Sequence, residues 1–142
     1  MTRRLPVLVF VPYAILIATL THWPNLKIES ATVDRPDLIA HFTVYSIWVI
    51  LFRWTGWIPG RTRWVVLARV WGVAAVYAGL DESTQAFIPG RSVLWSDYAA
   101  NLGGITLGTL VGAALPWRPP TRSGGREEQP RRAAGTAGES RR

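Results

Sequence analysis

Cysteine is absent from the 142 residues, which excludes disulfides, thiolate metal sites and a cysteine nucleophile. Two catalytic signatures are missing as well, the Gly-x-Ser-x-Gly elbow and the His-Glu-x-x-His zinc motif. Acids are few: nine Asp and Glu stand against sixteen Lys and Arg, a formal charge of +7. An excess of that size suggests nucleic acid where the bases form one soluble patch. Here the arginines stand in short clusters beside apolar runs, which is the charge pattern of membrane flanks. Mean hydropathy is +0.14, an average over two unlike parts. Residues 118–142 hold almost nothing apolar beyond alanine, and such a segment buries too little surface to offset the entropy of ordering it. The expectation is a membrane domain over residues 1–117 and a disordered, basic, cytoplasmic tail over residues 118–142.

Crossing a bilayer takes about 20 helical residues, and four apolar runs approach that length: residues 5–21, 37–54, 64–80 and 97–115. The first and fourth read most securely, because the second contains His41 and the third Arg69. Arg69 is near the start of its run and can snorkel to the interface. Arg3 and Arg4 before the first run invite a signal-peptide reading, but only "LTHWPN" follows it, without an Ala-x-Ala-like site. With the N-terminus inside, thirteen basic residues fall on the cytoplasmic side, and only Lys27, Arg35 and Arg91 fall outside. The fold expected is therefore all-α, an integral membrane four-helix bundle with both termini in the cytoplasm. Six tryptophans near run ends (Trp23, Trp54, Trp57, Trp64, Trp95 and Trp117) suit the headgroup region, while Trp48 and Trp71 sit deeper.

That orientation gathers the unusual polar residues on one side. Asp37, His41 and Tyr45 recur at four-residue spacing, forming a stripe that descends into the membrane. Asp97, Asn101, Gly104, Gly108 and Gly112 form a second stripe, whose glycines permit close helix approach within the chain or in a homo-oligomer. Asp81 and Glu82 end the third run, where the helix dipole disfavours adjacent carboxylates. The turn "IPGR" after them can bring Arg91 back as a clasp. Plainer readings exist for some of these residues. Ser96 and Asp97 suit a helix start, as do Pro36 and Asp37, and His41 can serve simply as a helix-to-helix hydrogen bond.

The stretch "DESTQAFIPGRSVLWSDYAANLGG" resembles the Asp-Glu-x-x-Gln-x-Phe-x-Pro-x-Arg … Asp-x-x-x-Asn-x-x-Gly signature of the VanZ-like family of small bacterial membrane proteins. "DLIAHFTVY" is similar to its Asp-Lys-x-x-His-Phe-x-x-Tyr element, except that Leu38 replaces the lysine. Any role of that lysine in balancing the acids is absent here or passes to another group, such as Arg35. The resemblance implies a compact helical membrane domain and carries over Asp37, His41, Tyr45, Asp81, Glu82, Gln85, Arg91, Asp97 and Asn101 as family positions. The namesake's association with teicoplanin resistance implies a cell-envelope setting and specifies no reaction.

Two functions of different class follow. In the first, the protein acts on or binds a lipid-linked cell-wall precursor or a phospholipid at the outer face of the bacterial cytoplasmic membrane. His41, Asp81, Glu82 and Asp97 are then the acid–base candidates, and Asp37, Tyr45, Gln85, Arg91 and Asn101 contact the substrate. A divalent cation held by the carboxylates is open, and no cofactor is specified. In the second, the polar cluster is structural, within a membrane scaffold or interaction protein. A transporter of four spans without an internal repeat is weaker than either.

Overall fold

The computed structural model describes residues 4–26, 32 and 34–114. The basic tail, Lys27 and Trp117 lie outside the described residues. Four α-helices account for most of the rest: α1 (Arg4–Thr21), α2 (Pro36–Thr55), α3 (Arg63–Gln85) and α4 (Trp95–Ala114). Strands are absent among the described residues.

Local chemistry sets most of the helix ends. Pro36 opens α2 with Asp37 in its first turn, and Gly56 closes it in the left-handed conformation (φ 70°), its N–H returning to Arg53 O. The Thr62 side chain caps α3 by accepting from Val65 N–H. Arg69 reaches back from α3 to donate to Pro59 O at 2.7 Å, as its place near the helix start predicts. Two boundaries differ from the sequence reading. α3 continues past Asp81 and Glu82 to Gln85, with Asp81 offset by the donors Thr21, Tyr45 and Gln85. α4 begins a residue before Ser96, whose hydroxyl bonds Asp97 Oδ1 at 3.0 Å rather than capping the helix.

The contacts define an up-down-up-down bundle. Tyr13 of α1 donates to Val44 O of α2 at 2.9 Å, and Phe10 meets Trp48 edge-on at 5.1 Å. Trp48 in turn stacks on Tyr77 of α3, with centroids 4.9 Å apart at 16°. These rings, with Phe52, Val70, Ala74, Ala78 and Ile105, form the core.

α2 and α4 run parallel in close contact, and glycine is the reason. A Cβ on Gly104 would collide with Phe42 O; one on Gly108 would meet Ser46 O and the Val49 side chain. Lower down, a Cβ on Gly112 would come within 2.9 Å of Arg53 Cδ. Ser46 uses the proximity to donate to Gly104 O at 3.0 Å. Of the two uses open to this glycine stripe, packing within the chain is the one seen.

α1, α2 and α3 are each long and apolar enough to cross a membrane. α4 matches them in length, but its four glycines, Asp97 and Asn101 lower its hydropathy. α1 is buried over only 11% of its span, so most of its apolar surface, including Leu8, Ile15 and Leu16, faces outward.

Candidate functional site

The polar residues converge at one end of the bundle, where α1 and α3 finish and α2 and α4 begin. Six of them are buried: Tyr45 (0% exposed), Asp81 (6%), Glu82 (4%), Gln85 (2%), Asp97 (7%) and Asn101 (0%). Three carboxylates at that depth each need compensation. Each is treated differently.

Asp81 is saturated. Its Oδ2 accepts from the Tyr45 hydroxyl at 3.1 Å and from Gln85 Nε2 at 3.3 Å. Its Oδ1 accepts from the Thr21 hydroxyl at 3.0 Å, with His22 Nδ1 3.7 Å away. His22 is fixed in turn by Ala18 O, 2.9 Å from Nδ1, and by Thr84 Oγ1, 2.9 Å from Nε2. One carboxylate therefore ties α1, α2 and α3 together.

Asp97 is paired. Arg35 spans Asp37 at 2.8 Å and Asp97 at 3.2 Å, also touching Ser96 Oγ at 3.3 Å. The hydrogen bond to Asp37 is the main reason that the Arg35 guanidinium holds its proton more tightly than an ordinary arginine. Arg35 precedes the position where the family signature has lysine and this chain has Leu38, and it supplies the positive charge that the first turns of α2 and α4 share.

Glu82 is neither saturated nor paired. Gln85 Nε2 approaches Oε2 at 3.5 Å, the limit of a hydrogen bond. Oε1 is buried with no hydrogen-bond partner. The backbone N–H of Leu94, on the groove wall, also acts on the carboxylate. Glu82 also lines an open groove between α3 and α4 of about 460 Å³, walled by Val76 and Leu80 on one side and Val93, Leu94 and Tyr98 on the other. It is the only acid among the lining residues.

His41 Nδ1 lies 3.0 Å from Asn101 Oδ1, which joins α2 to α4 and leaves Asn101 Nδ2 without a partner. Arg91 does not form the expected clasp with Asp81 or Glu82. The Pro89–Gly90 turn reverses the chain as its residues require, with Gly90 at φ 78°, but Arg91 Nη2 donates to Leu20 O at 2.8 Å. The last carbonyls of α1 lack intrahelical donors and attract the guanidinium. Among the described residues no group of three His, Asp or Glu side chains is arranged to hold a metal.

Thus Tyr45, Gln85 and Asp81 come together in one cluster, and His41 and Asn101 in another. Asp37 and Asp97 meet through Arg35, while Glu82 lies between the groups. Thr21 and His22 escape the sequence reading, since nothing local in "LTHWPN" marks them as partners of a carboxylate sixty positions later. Trp95 reads as an interface aromatic in the sequence, and with Tyr98 it also borders the groove.

A helical bundle with three helices apolar enough to span a bilayer defines this chain as a membrane protein. A family model for VanZ/LLP1 matches residues 6–115, and the chain belongs to that family. No curated protein and no solved structure matches it.

Proposed function

We propose that this VanZ-family protein is a multi-pass protein of the bacterial cytoplasmic membrane whose outer polar site binds a lipid-linked or phospholipid-type envelope molecule. The observation that carries the reading is Glu82, a buried carboxylate with an unpartnered oxygen on the wall of an apolar groove. A carboxylate kept only for structure would be expected to have its lone pairs satisfied, as those of Asp81 are. An ionisable group left incomplete beside a concave apolar surface is the mark of a binding site. An envelope ligand agrees with the resistance association of the family's namesake.

Two observations support the proposal of four spans with both termini inside. α4 accompanies α2 from the Arg35–Asp97 pair to the Gly112–Arg53 contact, so a membrane that α2 crosses is crossed by α4 as well. The arginine excess on the other side supports a polar end that faces outward. A reporter enzyme fused after residue 90 is expected to be active only in its extracytoplasmic form, and activity of a cytoplasmic reporter at that point would reverse the orientation.

The structural alternative draws support from Asp81, whose bonds are all internal, and it applies to that residue. For Glu82 the two readings separate experimentally. Native mass spectrometry of the full chain, released from mild detergent, is expected to show a retained lipid that Glu82→Gln loses. Wild-type protein free of lipid would refute the binding site.

A further inference from the structure

The geometry points to a primary-ammonium phospholipid, of the phosphatidylethanolamine type, as the occupant of the α3–α4 groove, its amine against Glu82 and its chain along Val76 and Leu80. This assignment rests on the binding role proposed above and specifies its ligand.

Charge selects the amine. Glu82 is the only acid among the residues that line the groove; the Leu94 backbone N–H acts on its carboxylate, but Oε1 has no hydrogen-bond partner. A partner must therefore bring positive charge and N–H groups together. A bare divalent cation would need six or more oxygens, and a single carboxylate with the Ser83 hydroxyl beside it falls far short. Anionic headgroups are repelled. Of the described arginines at this end, Arg35 is paired with Asp37 and Asp97, and Arg91 Nη2 donates to Leu20 O at the end of α1; neither lines the groove.

Shape selects a lipid. The remaining wall is apolar, and Val76 (65% exposed), Leu80 (61%) and Trp95 (86%) leave it open to the side rather than closed inside the bundle. Glu82 is two helical turns or less from Val76 on α3, so an amine at Glu82 leaves the chain lying along the helix toward the bilayer centre. Gly79 contributes no side chain to the floor beside the Tyr98 ring. Trp95, exposed at the mouth, suits the headgroup region. A soluble amine would gain nothing from these walls. A bilayer amphiphile gains both.

The test uses the full chain in mild detergent with equal amounts of phosphatidylethanolamine, phosphatidylcholine and phosphatidylglycerol of identical acyl chains, read by native mass spectrometry. Phosphatidylcholine has the same charges but no N–H donors, so it isolates the hydrogen bonds to Glu82. Wild-type protein is expected to retain phosphatidylethanolamine about tenfold over either competitor, the scale of one charge-assisted hydrogen bond. Glu82→Gln is expected to lose the bound phosphatidylethanolamine, holding it no better than either competitor. Equal retention by the wild type, or a preference for phosphatidylglycerol, would overturn the amine assignment while leaving a lipid site in place. Retention of none would remove both. A preference for the amine that persists in Glu82→Gln would place the lipid elsewhere. The wild-type comparison is decisive even where the variant is poorly folded.

Discussion

Asp81→Ala is expected to lower the melting temperature of the detergent-solubilised protein by on the order of 10 °C or more, the largest stability loss of any polar substitution at this end of the bundle. The variant removes the acceptor for Tyr45, Gln85 and Thr21 at one stroke. Tyr45 is fully buried and Gln85 is 2% exposed, so neither can turn to water for a replacement. Each buried donor left unpaired costs about 1–3 kcal/mol. Against this, removing a buried carboxylate recovers some desolvation energy, which limits the total to about 3–5 kcal/mol. Asp81→Asn retains one carbonyl oxygen at nearly the same place and is expected to cost less than half as much. Thermal denaturation followed by circular dichroism reads both. An Asp81→Ala protein as stable as the wild type would show that the carboxylate is not the tie between α1, α2 and α3.

How the chain conceals that tie shows where sequence reasoning stops. Long apolar runs locate all four helices to within a few residues, because hydrophobic length is a local property. The α2–α4 contact is also readable in Gly104, Gly108 and Gly112, since a repeat of missing side chains has few other uses. The partners of the buried acids are a different matter. Thr21 and His22 reach Asp81 only because α1 and α3 end at the same height, a consequence of loop lengths and packing that no short motif records. The Pro89–Gly90 turn is readable, but the clasp of Arg91 on Asp81 or Glu82 that it suggests does not form, because Arg91 donates to the Leu20 carbonyl at the end of α1 instead. Arg35 is the intermediate case. Its role follows from the departure at Leu38 from the family pattern, which left a positive charge to be supplied by a neighbour. The groove was not legible at all, for its walls come from separate parts of α3 and α4 and from the loop between them.

Glu82→Gln is expected to separate binding from stability, in contrast to Asp81→Ala. The two residues are adjacent, equally buried and on the same helix, so burial alone predicts the same penalty for both. Their hydrogen bonds predict otherwise. Asp81 is held on both oxygens, whereas Glu82 has a contact at the 3.5 Å limit to Gln85, the Leu94 backbone N–H nearby, and one oxygen without a hydrogen-bond partner. A buried acid in that state is retained at a cost to the fold, and neutralising it removes the cost. The amide keeps the shape and can still accept from Gln85.

The most direct measurement is therefore the melting temperature of purified Glu82→Gln in mild detergent, taken beside wild type and Asp81→Ala, each stripped of lipid. The account predicts a Glu82→Gln protein at least as stable as the wild type, with Asp81→Ala well below both. A Glu82→Gln protein that melts as early as Asp81→Ala would contradict it, and would assign Glu82 to the scaffold rather than to a ligand.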